Sequence, residues 1–206
     1  QALSTNNENP TFASRPFDID RDGFVMGEGS SVLILESEES IIKRDAQPLA
    51  ELVGYGATSD AFHVTQPHPE GAGAIEAMRR ALSQANLEPS DIDYINAHGT
   101  STPLNDKFET MAIKKVYMNS AYSVPISSTK SMTGHLLGAG AALEAAFSVL
   151  SIQNGTIPPT INLANQDPDC DLDFTANNSI QKDISNVMSN SLGFGGHNSS
   201  LIFKKV

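Results

Sequence analysis

The sequence contains few cysteines and few basic residues, and each shortage argues against a class of function. A single cysteine occurs among the 206 residues, which excludes an intramolecular disulfide framework and fits a reducing compartment. The 13 Lys and Arg residues face 24 Asp and Glu residues, for a formal net charge of −11. Because binding a polyanion requires clustered basic side chains, nucleic acid is not an expected partner.

Long hydrophobic runs are also absent from the sequence. The most apolar stretch, residues 136–152, is rich in glycine and alanine, is shorter than a membrane span and contains Glu144. Residues 1–10 are polar and do not resemble a secretory signal, and no repeat or low-complexity linker follows. These features predict an acidic, soluble, intracellular protein with one sizeable core or two small ones, and no membrane association.

Short apolar runs alternate with amphipathic segments after an irregular, turn-rich lead-in at residues 1–30. Strands are predicted at residues 31–36, 49–57, 92–96, 124–127, 186–190 and 199–204. Helices are predicted at residues 38–45, 71–85, 106–117 and 136–152. This alternation, with a pair of strands at the end, predicts an α/β layered unit with a mixed sheet.

The helix predicted at residues 136–152 is apolar on nearly every side, which is typical of a buried helix. Small residues recur at every fourth position, so another backbone is expected to pack closely against this row of Gly134, Gly138, Ala142 and Ala146. Glu144 is the only charge in the helix. Because an unpaired buried carboxylate is costly, it needs a cation, and Lys130 is the nearest candidate in sequence.

Two histidines lie in short segments rich in Gly, Ser and Thr. His98 follows the predicted strand 92–96 at its carboxyl end, where open α/β sheets place ligand-contacting groups. His135 precedes the predicted helix, whose N-terminus disfavours an imidazolium, so its ring should stay neutral and able to donate to an oxyanion. Considered alone, His98 is better explained as a loop histidine with a structural hydrogen bond, and the alternative for His135 is a histidine that satisfies helix-terminal groups. Pairing with Glu144 would draw Lys130 inward beside His135, and a site then becomes the better explanation.

Other segments give weaker signals. The turn at residues 193–196 could direct backbone N–H groups at an anion with Phe194 as an apolar gate, or it could be a plain hairpin turn. Cys170 lies among four aspartates that disfavour a thiolate, so it is predicted to be structural. The remaining histidines are too loosely spaced for a zinc site. A hydrolase using Ser101 or Ser131 lacks a nucleophile-elbow pattern.

Together these segments closely resemble the C-terminal half of the β-ketoacyl-acyl-carrier-protein synthase II family, the elongating condensing enzymes of fatty acid synthesis. The likeness keeps one order from end to end through ASRPFDIDRDGFVMGEG, GATSDAFHVTQPHPEG, NAHGTSTP, SSTKSMTGHLLGAGAALEA, IPPTINL, CDLDF and NSLGFGGHNSSLIFKK. It implies the thiolase-like α/β fold, an α-β-α-β-α body of two similar halves. This chain would form one half, a mixed five-stranded sheet flanked by helices, with residues 1–30 joining it to the other half and residues 31–206 as the domain.

The resemblance implies a decarboxylative Claisen condensation of malonyl-acyl-carrier protein with an acyl thioester. His98 and His135 would hold the malonyl thioester carbonyl and stabilise the enolate, and Lys130 would organise them with Glu144 as its partner. Phe194 would be the gate and its N–H part of an oxyanion hole, with Asp106 as a support behind the site. No cofactor is implied. Substrate contacts are expected at Thr65, Thr100, Thr102, Gly193 and Gly195, and a structural monovalent cation near Asn96, Glu144 and Asn190.

The nucleophilic cysteine of that family lies in the N-terminal half, which this sequence lacks, and Cys170 matches a structural cysteine. The chain alone is therefore predicted to be inactive in condensation. Implied partners are acyl-carrier protein, acyl and malonyl thioesters, the cysteine-bearing half and, for the full-length enzyme, a second copy. The expected location is the cytoplasm, or a plastid or mitochondrion in a eukaryote. The alternative is a non-catalytic thiolase-fold subunit that pairs with a cysteine-bearing chain.

Overall fold

A mixed five-stranded sheet organises residues 2–64 and 66–206, the part of the chain that the computed structural model describes. Its strands are β1 (Glu51–Ser59), β2 (Tyr94–Asn96), β3 (Ile126–Ser127), β6 (Asn186–Gly193) and β7 (His197–Lys204). They lie in the order β1-β7-β6-β2-β3, where β6 and β3 are parallel to β2, and β7 is antiparallel to β6 and β1. A separate antiparallel pair consists of β4 (Thr156–Ile157) and β5 (Ile180–Gln181). The predicted mixed sheet of five strands is confirmed.

Helices pack on both faces of this sheet. The α-helices of the described residues are α1 (Glu38–Arg44), α2 (Ala72–Ala85), α3 (Pro103–Tyr117), α4 (Lys130–Thr133) and α5 (Gly140–Asn154). The faces are covered by α2 and α3 on one side and α5 on the other, whereas α1 has no buried residue. Successive residues of β2 face opposite sides: Ile95 joins the core formed with α2 and α3, whereas Tyr94 joins the core formed with α5. Both faces of β2 are buried, as expected for a strand flanked by parallel neighbours.

The prediction of a strand at residues 31–36 is wrong, because the structure forms no strand there. The described residues give this segment no strand partner, and Val32, Ile34 and Leu35 are 83%, 81% and 70% exposed. Leu33 between them is half-buried against the α5 core. A short apolar run is typical of a buried strand, but a strand also needs a neighbouring backbone, and no part of the described structure supplies one.

The helix predicted at residues 136–152 begins later than its pattern indicated. A short 3-10 turn at Leu137–Ala139 precedes α5, and Gly134 and Leu137 both have positive φ. The two glycines of the row of small residues differ: Gly134 is approached closely by the backbone of Val25 and Gly27, as predicted. A Cβ on Gly138 would meet nothing within 4 Å. Leu150 is 50% exposed, so α5 is buried on one side and open on the other.

The lead-in at residues 1–30 is irregular as predicted, yet it is tied to the body of the domain. Arg21 forms ion pairs with Asp167 at 2.8 Å and with Asp106 at 3.4 Å. The carboxylate of Asp18 accepts the backbone N–H groups of Ala164 and Asn165. Because the side chains of Asp18 and Arg21 are buried, they anchor this part of the lead-in in the interior of the domain.

Glycine at position 56 is required by the packing of α2 on β1. A Cβ there would lie 1.9 Å from the carbonyl oxygen of Ala77, and the helix backbone cannot move aside without losing its contacts. We therefore expect Gly56→Ala to lower the free energy of unfolding by about 1–3 kcal/mol. Gly138→Ala, in open space, should stay within about 0.5 kcal/mol of the parent. Denaturant unfolding of both variants measures this, and equal effects would contradict the packing argument.

Candidate functional site

The parallel strands β2 and β3 end side by side and bring the two predicted site segments together. Their pairing continues one residue beyond the strands, where Ala97 N–H donates to the Ser127 carbonyl at 2.9 Å. His98 follows on one side, and Lys130, the first residue of α4, on the other. Both segments open onto a cleft of about 870 Å³. Its lining includes His98, Thr100, Thr102, Lys130, His135, Glu144, Gly193 and Phe194.

His98 and His135 are in contact within the cleft. The ring centroids of His98 and His135 are 5.3 Å apart with the planes at 86°. Burial lowers the pKa of His98 well below its usual value, and the charge of Lys130 adds to this. For His135, burial first and Lys130 second lower the pKa to about 4. Both imidazoles are therefore neutral at pH 7, which the helix-terminus argument predicted for His135. The cause differs, since α5 begins five residues after His135.

The hydrogen bonds around His135 select one tautomer of its ring. Nδ1 accepts the backbone N–H of Leu137 at 3.2 Å, so in the neutral ring the proton lies on Nε2. The backbone is held too, because His135 N–H donates to Val25 at 2.7 Å and Gly27 N–H donates to the His135 carbonyl. Phe24 packs edge-on against the ring at 5.2 Å. His135 is thus a fixed N–H donor in the cleft.

Lys130 and Glu144 form the predicted ion pair. The Lys130 ammonium donates to Glu144 Oε1, and the two side chains are each only 3% exposed. Burial raises the pKa of Glu144, while the charge and hydrogen bond of Lys130 oppose the rise. Glu144 Oε2 has no hydrogen-bond partner within the described part of the chain. The pair places a cation beside both histidines without leaving a net charge there.

Glu109 is part of this arrangement, and the sequence analysis missed it. Its carboxylate accepts the backbone N–H groups of His98 and Gly99, both at 2.8 Å, and the residue is 1% exposed. Burial raises its pKa to about 7 against these two hydrogen bonds. The sequence does contain an indication of this role, because Glu109 shares a helix face with the apolar residues Ala112 and Ile113, three and four residues further along. Glu144 was predicted to be functional on the same ground, as an acidic residue on an apolar helix face.

Thr100, Thr102 and Asp106 lie next to the histidines but differ in their surroundings. Thr100 and Thr102 line the cleft and share a hydrogen bond at 2.9 Å. Thr102 also caps α3 by accepting the N–H of Asn105, which explains why α3 begins at Pro103 and not at the predicted residue 106. Asp106 is fully buried behind the cleft, where it accepts the N–H of Phe17 at 2.9 Å. Thr65 lies outside the described residues.

The turn between β6 and β7 forms one wall of the cleft mouth. Gly193 and Phe194 line the cleft, and Phe194 is 54% exposed. Gly195, at φ 79°, donates its N–H to the Val64 carbonyl at 2.6 Å. The turn is further tied to Asp60, whose N–H donates to Gly196 at 2.8 Å. These contacts commit the Gly195 N–H to the neighbouring loop.

Comparison with known proteins agrees with this architecture. The beta-ketoacyl synthase C-terminal domain model matches residues 49–164, and the N-terminal domain model matches residues 1–40. The chain belongs to the beta-ketoacyl synthase family. It is 55% identical to 3-oxoacyl-acyl-carrier-protein synthase 2 of Synechocystis sp. and 54% identical to that of Staphylococcus aureus, in each case over 205 residues. The chain spans about half the length of these curated relatives, 49% of each.

Solved ketosynthases share the fold, which is thiolase-like. A beta-ketoacyl synthase from Burkholderia phymatum matches the whole chain with a TM-score of 0.94 and 43% identity, over 49% of its own length. A type II polyketide ketosynthase, solved with its acyl-carrier protein and bound to a hexaketide, matches with a TM-score of 0.96 and 42% identity, over 50% of its own length. The predicted family and fold are confirmed.

Cys170 is fully buried in this beta-ketoacyl synthase domain, and burial is the main reason that its pKa rises to about 11. The aspartates expected to raise it have only minor effects. Across residues 2–64 and 66–206, no group of three His, Cys, Asp or Glu side chains is arranged to hold a metal ion. No helix of that part is long and apolar enough to cross a membrane.

The predicted cation position is only partly formed by side chains. Asn96 is completely buried, and among the described residues its amide has no hydrogen-bond partner, as Glu144 Oε2 has none. Amide and carboxylate oxygens suit a monovalent cation, so Asn96 and Glu144 would hold it and neutralise the carboxylate. Asn190 instead faces α2, where it contacts Met78 and accepts from Ser200. The cation remains a prediction, and no step of the reaction proposed below depends on it.

The buried ion pair predicts strongly coupled mutational effects. Lys130→Met leaves the Glu144 carboxylate buried without a cation, so the free energy of unfolding should fall by about 3–5 kcal/mol. The double variant Lys130→Met/Glu144→Leu removes both charges and should be clearly more stable than the sum of the single losses predicts. Arg80→Met, which breaks an exposed pair with Glu76, should cost about 0.5 kcal/mol or less. Denaturant unfolding of wild type, both single variants at Lys130 and Glu144, the double variant and Arg80→Met measures this, and additive losses would contradict the pairing.

Glu109 predicts a pH dependence of stability. Because its pKa near 7 in the folded protein exceeds the usual 4.5, the folded state binds more protons between these values. Its contribution to the free energy of unfolding therefore falls as the pH rises from 4.5 to 7. His98 and His135 have depressed pKa values, so their contribution to the free energy of unfolding rises with pH, opposite to that of Glu109. The effect of Glu109 is therefore isolated by comparing variants. We expect the stability difference between wild type and Glu109→Gln to change across this window, and that for the surface variant Glu76→Gln to stay constant.

Proposed function

We propose that this chain supplies the decarboxylating part of a β-ketoacyl-acyl-carrier-protein synthase site, for Claisen condensation of malonyl-acyl-carrier protein with an acyl thioester. The observation that carries the proposal is the neutral, contacting pair His98 and His135 beside the buried ion pair of Lys130 and Glu144. A neutral imidazole can donate an N–H to a developing oxyanion and gains more from it than from a neutral carbonyl. The family to which the chain belongs supports this reading.

In the proposed reaction the malonyl thioester carbonyl accepts hydrogen bonds from His98 and His135. The bond between the malonyl carboxylate and Cα breaks, carbon dioxide leaves, and the electron pair forms an enolate whose oxygen remains against the two rings. The tautomer of His135, with its proton on Nε2, suits this role. Removing one such donor typically raises the barrier by about 3–4 kcal/mol. Burial lowers the pKa of both rings and the charge of Lys130 adds to this, so the rings stay neutral, while Glu144 balances the charge of Lys130.

The enolate carbon then attacks the carbonyl of an acyl group held as a thioester, and the thiolate leaves. Cys170 is not suited to hold that acyl group, because it is buried with a raised pKa. The nucleophilic cysteine therefore comes from the other half of the enzyme, and this chain alone does not condense. Phe194 gates the cleft and its N–H stabilises the acyl oxyanion. Substrate contacts come from Thr65, Thr100, Thr102 and Gly193, whereas the N–H of Gly195, which was also expected to contact substrate, is already bound to the Val64 carbonyl.

Uncovered apolar surface supports a partner half. Residues 31–36 present the exposed apolar side chains of Val32, Ile34 and Leu35 without a strand neighbour in the described structure. Gly138, in the 3-10 turn before α5, faces open space, and Leu150 on α5 is 50% exposed. The N-terminal domain model of the family matches only residues 1–40. We infer that the cysteine-bearing half covers both surfaces, and that two copies of the full enzyme associate.

Acyl-carrier protein is the proposed carrier of both substrates. One solved relative is a ketosynthase in complex with its acyl-carrier protein. Because this chain has a net charge of −11 and acyl-carrier proteins are acidic, the basic docking surface belongs mainly to the other half. The proposed location is the cytoplasm, or a plastid or mitochondrion in a eukaryote.

A second candidate function is a non-catalytic subunit that pairs with a cysteine-bearing chain. A solved relative of 34% identity and TM-score 0.76 is a ketosynthase in complex with its chain length factor, so pairing of different chains occurs among similar proteins. The presence of His98, His135 and Lys130 in one cleft favours the catalytic role, because a purely structural subunit has no need of two neutral histidines beside a buried cation.

The decisive experiment fuses a cysteine-bearing N-terminal half, from the Synechocystis relative, to this chain. The fusion should decarboxylate malonyl-acyl-carrier protein and condense it with acyl-carrier-protein thioesters, measured by release of labelled carbon dioxide and by product mass. His98→Ala, His135→Ala and Lys130→Ala should each lower decarboxylation by at least about a hundredfold.

Lys43→Ala, a lysine on the exposed helix α1, is the matched control and should leave both activities unchanged. A folded fusion without either activity, or undiminished decarboxylation in Lys130→Ala, would contradict the proposed function. The non-catalytic candidate predicts that the three site variants behave like the control.

A further inference from the structure

The segments that carry His98 and Lys130 are joined by a side chain at the point where their backbones separate. The strand pairing ends with Ala97 and Ser127. One residue further, Ser128 Oγ donates to the Gly99 carbonyl at 2.6 Å, so a side chain continues the pairing that the backbone has ended. Ser128 is completely buried.

The contact between these segments leaves almost no free space. A Cβ on Gly99 would lie 2.5 Å from Ser128 Cβ and 2.8 Å from its Oγ. Gly99 also has φ 37°, a conformation that favours glycine. The Gly99 backbone therefore packs directly against the Ser128 side chain, and the hydroxyl hydrogen bond fixes their relative position.

The backbone of Ser128 is itself held in place through both its N–H and its carbonyl. Its N–H donates to Thr160 Oγ1 at 3.0 Å, and its carbonyl accepts Ser131 Oγ at 2.8 Å. Ser131 Oγ in turn accepts the N–H of Ile161 at 3.0 Å. A hydroxyl on so constrained a backbone is a rigid anchor for whatever it binds.

The backbone around His98 is consequently bound from two sides. Glu109 on α3 accepts the N–H groups of His98 and Gly99, and Ser128 donates to the Gly99 carbonyl. The ring has no comparable restraint, because His98 Nδ1 lacks a hydrogen-bond partner among the described residues. Its position against His135 therefore depends on the backbone that carries it.

We propose that Ser128 is a positioning residue for the reaction, which holds the His98 ring against His135 by clamping the Gly99 carbonyl. The inference rests on the proposed function, since it assigns Ser128 to the histidine pair. Without the hydroxyl, the Gly99 carbonyl loses its buried donor and the loop shifts to find another. A misplacement of about 1 Å at a reacting group can cost about a hundredfold in rate.

The test uses Ser128→Ala and Ser128→Cys in the fused enzyme. We expect Ser128→Ala to lower kcat for malonyl decarboxylation by about tenfold to a hundredfold while KM changes less than about twofold, because binding contacts remain. Ser128→Cys keeps the shape and a weak donor and should recover part of the loss. Ser120→Ala removes a hydrogen bond of the same 2.6 Å length, to the Tyr117 carbonyl, and should leave kcat unchanged.

A second readout uses this chain alone and does not require activity. Nuclear magnetic resonance of the imidazoles should show the pKa of His98 moving towards its usual value in Ser128→Ala, because the displaced ring gains water. Ser120→Ala should leave it in place. If the wild-type fusion has no activity, the proposed function fails, and this titration still tests whether Ser128 positions the His98 ring.

Folded Ser128→Ala with unchanged kcat and an unchanged His98 titration would overturn the proposal. If Ser128→Ala does not fold, Ser128→Cys carries the test. A wild-type kcat and titration in that variant would then overturn it, and an intermediate loss in both would support it.

Discussion

The buried ion pair of Lys130 and Glu144 sets the electrostatic conditions for the rest of the cleft. A lone lysine at 2% exposure would lose its charge, and a lone glutamate on an apolar helix would do the same. Together they keep a cation and an anion in a low-dielectric interior at little net charge. That cation is what, with burial, holds both histidines in their neutral form. The pair also joins α4 to α5 across the loop that carries His135.

The domain has one closed sheet face and one partly open face. The face covered by α2 and α3 forms the larger core, which includes Met78, Ile95 and Ile113. The face covered by α5 holds a smaller core, and the cleft opens on that side. The side chains proposed for catalysis therefore lie on the less covered face of the domain. This position supports the proposed completion of the site by another half, as does a match to about half the length of the curated relatives.

Much of the fold followed from sequence pattern, because helix and strand periods depend on local burial. The exceptions are informative. Residues 31–36 form an apolar run typical of a buried strand but lack a neighbouring backbone, because an apolar run indicates burial without saying which part of a protein provides the cover. The start of α5 was misplaced because Gly134 and Leu137 adopt positive φ, which hydrophobic pattern does not encode.

The candidate site was predictable where charge and burial conflict, and less so elsewhere. Glu144 conflicts with its apolar helix and led to Lys130, and the ion pair is present. Glu109 shows the same conflict, but the polar neighbours Asp106 and Lys107 hid it within a helix of mixed composition. The anchoring role of Ser128 could not be read from sequence at all. It depends on a single carbonyl 29 residues away, and nothing in a serine's type identifies its partner.

The neutrality of the histidines fits the charge movement of the proposed reaction. The malonyl group arrives with a carboxylate, and loss of carbon dioxide transfers that one negative charge to the enolate oxygen. The site thus has to stabilise a charge that changes position, and no net charge is created. Cationic histidines would bind the carboxylate of the substrate as strongly as the enolate, which deepens the ground state and gains no rate. Neutral N–H donors fixed at the carbonyl favour the enolate alone, and the Lys130–Glu144 pair keeps them so.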